Sequence, residues 1–144
     1  MKQVWTIVVL GAALVLAGCG SSSSNNINGN WTATLVSSNS APNITFTMSL
    51  SQSSNNSLSV SSIQFSTASA CFSQGASGTG SFGASGNTSG AVSGALQLTI
   101  QSSGSSNQLS LTGTVNNNSA SGSWNLSGTT AGCTGSGTFS MNKK

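Results

Sequence analysis

The side chains that could act as nucleophiles in this chain are cysteines and serines, and the sequence offers no base to activate them. It has three cysteines but no Asp, Glu or His. Acid–base catalysis, a serine triad and a pair of glycosidase carboxylates all need residue types that are missing. A zinc site would lack its histidine or carboxylate ligands, and calcium and magnesium normally use carboxylates. We therefore predict a protein that is not an enzyme and has no metal and no cofactor.

Charge is confined to Lys2, Lys143 and Lys144. The basic isoelectric point thus reflects missing acids. Nucleic-acid binding requires clustered Lys and Arg that displace counterions, and two lysines at one terminus do not form such a cluster, so we exclude nucleic acid as a partner. Net charge near zero and patterned apolar residues favour a folded domain over a disordered one.

The first residues have the layout of a secretory signal. Lys2 precedes a mostly apolar segment, residues 4–16, which is short for a membrane span. The segment ends in Leu16-Ala17-Gly18-Cys19. This tetrad resembles the lipobox of bacterial lipoproteins at every position. The resemblance implies that residues 1–18 are a cleaved signal peptide and that Cys19 carries a thioether-linked diacylglycerol, with a further acyl chain such as palmitate on its amine.

Lipid on Cys19 would hold the protein in a membrane, because each buried CH₂ contributes roughly 0.8 kcal/mol. Residues 19–27 are rich in Ser and Asn and read as a flexible tether. Gly20 stands where some enteric lipoproteins carry an Asp that retains them in the inner membrane. We therefore expect a lipid-anchored protein of the cell envelope, in the outer membrane rather than the inner membrane.

With Cys19 assigned to lipid, Cys71 and Cys133 remain, and export would place them in an oxidising compartment. A nucleophilic thiol needs a base, and two thiolates supply only half of a zinc site. We therefore predict a disulfide between them. Closing a loop of about 60 residues would stabilise the fold by roughly 4 kcal/mol.

From residue 28 onward, apolar and polar residues alternate with the period of β-strands. Ile44, Phe46, Met48 and Leu50 show this most clearly. Further runs of the same kind begin at Trp31, Leu96, Leu109, Gly122 and Gly135, and clusters of Asn, Gly and Ser separate them. In the third run, Leu58 and Val60 are out of phase with Ile63 and Phe65, which predicts a bulge near Ser61 and Ser62.

We count eight or nine strands and predict an all-β domain over residues 28–144, an antiparallel up-and-down barrel of about eight strands, with a β-sandwich as the alternative. Exposed sheet edges are normally protected by charge or proline, and these strands carry no charge, so closure into a barrel is favoured. Gly29-Asn30-Trp31 resembles the Gly-x-Trp signature near the start of lipocalins, and the avidin group starts similarly. In lipocalins the Trp closes the barrel floor under an Arg, which this sequence lacks.

Two functions are compatible with these features. The first is a structural or surface-interaction role in the envelope, in which hydroxyl and amide groups could hydrogen-bond polysaccharide. The alternative is lipocalin-like binding of a small apolar ligand inside the barrel. Trp31, Phe82 and Trp124 are the candidate ligand-binding residues, and the same residues could instead fill the core.

Overall fold

The computed structural model describes residues 26–38, 43–66, 70–85 and 91–144. The predicted signal peptide, Cys19 and most of the predicted tether lie outside them. Within these ranges the chain forms eight strands and one short 3-10 helix, Ala70–Phe72. The strands are β1 Gly29–Ser37, β2 Ile44–Gln52, β3 Ser57–Phe65, β4 Ala76–Ala84, β5 Ser93–Ser102, β6 Gln108–Asn116, β7 Ser119–Ser127 and β8 Gly135–Lys143.

Each strand pairs with its neighbours in chain order, and β8 pairs with β1, so the sheet is a closed barrel. All pairs are antiparallel. The predicted up-and-down barrel of eight strands is therefore confirmed, and the β-sandwich alternative is wrong. In the part of the chain that the structure describes, no helix has the length and apolarity to span a bilayer.

The period-two pattern places apolar residues inside the barrel and hydroxyl or amide residues on its wall. In β2, for example, Ile44, Phe46, Met48 and Leu50 are buried and the residues between them are not. The outward positions of β1 and β2 form a patch of threonines, in which Thr32 is opposite Thr47 and Thr34 is opposite Thr45. The wall is therefore neutral and rich in hydroxyl groups.

The phase change in β3 is a β-bulge, as predicted. The register between β2 and β3 shifts between Thr47 and Ser49, and Ser62 has a positive φ of 52°. One extra residue in β3 restores the inward direction of the second half of the strand, where Phe65 lies opposite Phe46.

Inward-facing glycines make room for large side chains from neighbouring strands. A Cβ built on Gly122 would lie 2.9 Å from a ring carbon of Phe139, and one built on Gly137 would lie 2.9 Å from Nε1 of Trp124. The barrel is therefore filled by pairing a glycine with an aromatic ring, which explains why glycine occupies positions that the alternation assigns to the core.

The two ends of the barrel differ. The end where β1 begins and β8 stops, at Gly29 and Lys143, is here called the terminal end. Residues 53–56 and 117–118 turn the chain there. The opposite end carries the 3-10 helix and the connections after β5 and β7, and we call it the disulfide end because of the bridge described below.

Candidate functional site

Cys19, the predicted lipidation site, lies outside the described residues. The described chain starts at Asn26, and Ile27 is 1% exposed within the hydrophobic core. The sequence predicts that Ile27 is the last residue of the tether, because polar residues surround it. That prediction is wrong for Ile27. The residue belongs to the barrel, since its side chain is part of the hydrophobic core.

The predicted disulfide is present at the opposite end. Cys71 in the 3-10 helix and Cys133 in the connection between β7 and β8 are bonded, with their Cα atoms 5.6 Å apart. The bridge links two connections that are 62 residues apart in sequence. It therefore ties the loop after β3 to the loop after β7 across the mouth of the barrel.

Asn107 is the buried polar residue that holds the disulfide end together. Its Nδ2 donates to the carbonyl oxygen of Cys71 at 3.0 Å and to Oγ1 of Thr130 at 3.1 Å. Its side chain is 1% exposed. Asn107 was not predictable from the sequence, because in so Asn-rich a chain nothing distinguishes a buried asparagine from one in an exposed turn.

The three candidate ligand-binding residues are all in the core. Trp31 and Phe82 are fully buried and Trp124 is 3% exposed. Each indole N–H is satisfied within the protein: Trp31 donates to the carbonyl oxygen of Ile27 at 2.9 Å, and Trp124 donates to that of Val36 at 3.1 Å. These contacts fix both rings as parts of the barrel itself.

The middle of the barrel is occupied by side chains. A void large enough for a water molecule would expose part of the residues around it, yet the largest inward side chains have no accessible surface. The residues that are 0% exposed include Trp31, Leu35, Phe46, Phe82, Leu96, Ile100, Leu109, Leu111 and Met141. The described residues therefore favour a packed core over a ligand-holding interior.

An apolar cleft opens instead at the disulfide end, between β3 and β4. These strands pair only from Ser57 to Val60 and from Gly78 to Ser81. By contrast, β4 pairs with β5 along its whole length. Because β3 diverges from β4 beyond the bulge, a cleft of about 570 Å³ remains, lined mainly by Ile63, Phe65, Ala70, Phe72 and Ala76.

Phe65 and Phe72 form the wall of this cleft. Their rings are stacked, with centroids 4.7 Å apart and an angle of 6° between the planes. Phe65 also contacts the core residue Phe46, at a centroid distance of 5.1 Å. Phe65 is only half-buried, so the cleft offers apolar surface that the packed interior does not.

The charged side chains of the described chain, Lys143 and Lys144, lie together at the terminal end. Among the described residues, no group of three or more His, Cys, Asp or Glu could hold a metal ion. The geometry thus presents three features: a covalently tied mouth, an apolar cleft beside it, and a pair of cations at the far end.

No known protein family, no curated protein and no solved structure matches the chain.

Proposed function

We propose that this chain is a lipoprotein of the cell envelope, anchored by lipid on Cys19, whose non-catalytic barrel has a structural or surface-interaction role. The lipobox supports the anchor. The proposed role of the barrel is supported by its packed interior, where Trp31, Phe82 and Trp124 fill the core. A barrel filled by its own side chains leaves its wall and its ends as the surfaces available for interaction.

The outer wall supports a neutral contact. Its threonine patch on β1 and β2 places Thr34 opposite Thr45 and carries Thr47 on the wall, whereas the hydroxyl oxygen of Thr32, opposite Thr47, is itself buried. Hydroxyl groups donate and accept hydrogen bonds without charge, as the hydroxyls of neutral polysaccharides do. A glycan array tests this contact: binding supports a surface-interaction role, and absence of binding restricts the role to a structural one.

The anchor is tested by growing cells with a palmitate analogue that can be tagged after lysis. We expect the wild-type protein to be labelled and Cys19→Ala to be unlabelled. The matched control is Cys71→Ser/Cys133→Ser, which removes the other two cysteines and should retain the label. Labelling of Cys19→Ala, or absence of label from the wild type, would contradict the proposal.

A second function is favoured by the cleft between β3 and β4. We propose that a small apolar molecule binds there, against Ile63, Phe65 and Phe72, rather than inside the barrel. The cleft volume of about 570 Å³ is within the range of small-molecule sites. This alternative keeps the apolar ligand and changes its location from the core to the wall.

A fluorescent fatty-acid analogue tests the cleft. We expect saturable binding that Ile63→Gln weakens about tenfold, because a buried aliphatic contact is lost. Val36→Gln is the matched control, since Val36 is a large apolar residue on the wall outside the cleft and is 48% exposed. Non-saturable binding, or equal weakening by both substitutions, would reject the second function.

A further inference from the structure

Lys143 and Lys144 lie at the rim of the barrel, beside the first residues of β1. Lys143 is the last residue of β8 and lies opposite Trp31 of β1. A Cβ on Gly29 would lie 2.8 Å from Cε of Lys143, so the missing side chain of Gly29 leaves room for the lysine stem at the barrel rim. The stem of Lys143 therefore lies over the first residue of β1.

Lys144 is held at the same rim. Its backbone N–H donates to the carbonyl oxygen of Asn30 at 2.9 Å. Its side chain borders a surface groove of about 230 Å³ that is also lined by Asn30, Ser49 and Gln64. Two cations and several neutral hydrogen-bonding groups thus surround the start of β1.

The chain between the predicted anchor and the barrel is short. Cys19 precedes Asn26 by seven residues, which can span at most about 25 Å even when fully extended. A nine-residue strand is itself about 30 Å long. A lipid-anchored barrel therefore has its terminal end, with Lys143 and Lys144, close to the bilayer surface.

We infer that Lys143 and Lys144 bind the headgroups of anionic phospholipids and hold the barrel with its terminal end on the membrane and its disulfide end away from it. The inference rests on the proposed lipidation of Cys19. Each lysine near an anionic surface contributes roughly a fivefold preference for contact. This contribution is screened by salt, because the Debye length is about 8 Å at physiological ionic strength.

The orientation can be measured on the full lipidated protein in vesicles. A fluorophore is attached to Asn118→Cys in the turn between β6 and β7 at the terminal end, or to Ser105→Cys in the connection after β5 at the disulfide end. A quencher is carried on lipid headgroups, and vesicles of phosphatidylcholine with and without phosphatidylglycerol are compared. We expect the label at position 118 to be quenched several times more strongly than the label at position 105, with the larger difference in the anionic vesicles.

Lys143→Gln/Lys144→Gln should remove the dependence on phosphatidylglycerol, and Lys143→Arg/Lys144→Arg should keep it. If the protein floats with the vesicles but both labels are quenched equally, or if the Gln variant keeps the dependence, the inferred orientation is wrong although the anchor stands. If the protein does not float with either vesicle, the proposed anchor is wrong and the orientation falls with it.

Discussion

At the terminal end of the barrel, closure depends on packing: Ile27 is buried in the core, and its carbonyl oxygen accepts a hydrogen bond from Nε1 of Trp31. At the disulfide end, closure depends on a covalent bridge between Cys71 and Cys133 and on the buried amide of Asn107. The second end has the longest connection, residues 66–75, and beside it β3 and β4 separate. The comparison indicates that covalent and polar ties are used where strand pairing is incomplete.

The largest expected effect comes from opening the terminal end. Trp31→Ala should lower the free energy of unfolding by about 5 kcal/mol, because it removes a fully buried indole and leaves a cavity. Trp31→Phe is the control, since it keeps most of the ring volume and loses the hydrogen bond to Ile27, and it should cost about 2 kcal/mol. Urea unfolding measures both. Equal costs for the two variants would show that packing does not close this end.

Removing the bridge should have a slightly smaller effect on the disulfide end. We expect Cys71→Ala/Cys133→Ala to lower the free energy of unfolding by about 4 kcal/mol, because the unfolded chain regains the freedom of a loop of 62 residues. A reducing agent should destabilise the wild type in urea and leave the double variant unchanged. A loss below about 1 kcal/mol would mean that the connections hold without the bridge.

The polar tie at the same end should contribute less than the bridge. Asn107→Ala leaves the carbonyl oxygen of Cys71 and the hydroxyl of Thr130 without their shared partner, and we expect a cost of about 2 kcal/mol. Asn118→Ala, in an exposed turn at the terminal end, should change stability by less than about 0.5 kcal/mol. Similar midpoints of urea unfolding for the two variants would show that Asn107 does not stabilise the disulfide end.

The smallest effect is expected from pH, and it should be equally small at both ends. The chain has no Asp, Glu, His or Tyr, so the side chains of the folded and unfolded protein bind the same number of protons between about pH 5 and 9. Because the slope of stability against pH follows that difference, the melting temperature should change by no more than about 2 °C over this range. A larger change in a calorimetric scan would contradict this expectation, because it requires a group that binds protons differently in the folded and unfolded protein.

Several features of the fold follow from local sequence alone. Alternation predicts the strands, the phase change between Val60 and Ile63 predicts the bulge, and elimination of other roles predicts the pairing of Cys71 with Cys133. The strands and the bulge depend on residues that are close in sequence. The disulfide depends on a choice of cysteine partners that leaves one possible pair. They are the part of the structure that a pattern can specify.

Other features depend on contacts across the barrel and were not predictable in the same way. Ile27 is a single apolar residue among asparagines. Its burial becomes evident only from its contact with Trp31 in the folded barrel. Trp124 reaches Val36 because Gly137 lacks a side chain, which requires the register of three strands. The cleft beside Phe65 arises where β3 leaves β4, and the alternation of either strand gives no sign of it.

The central claim is that a packed, disulfide-tied barrel is anchored through lipid on Cys19. Intact mass measurement of the protein extracted from membranes, under non-reducing conditions, tests it most directly. We expect a chain of residues 19–144 with a diacylglycerol and acyl mass added and two hydrogens missing for the bridge. A mass for residues 19–144 without lipid, or for the whole chain 1–144, would contradict it.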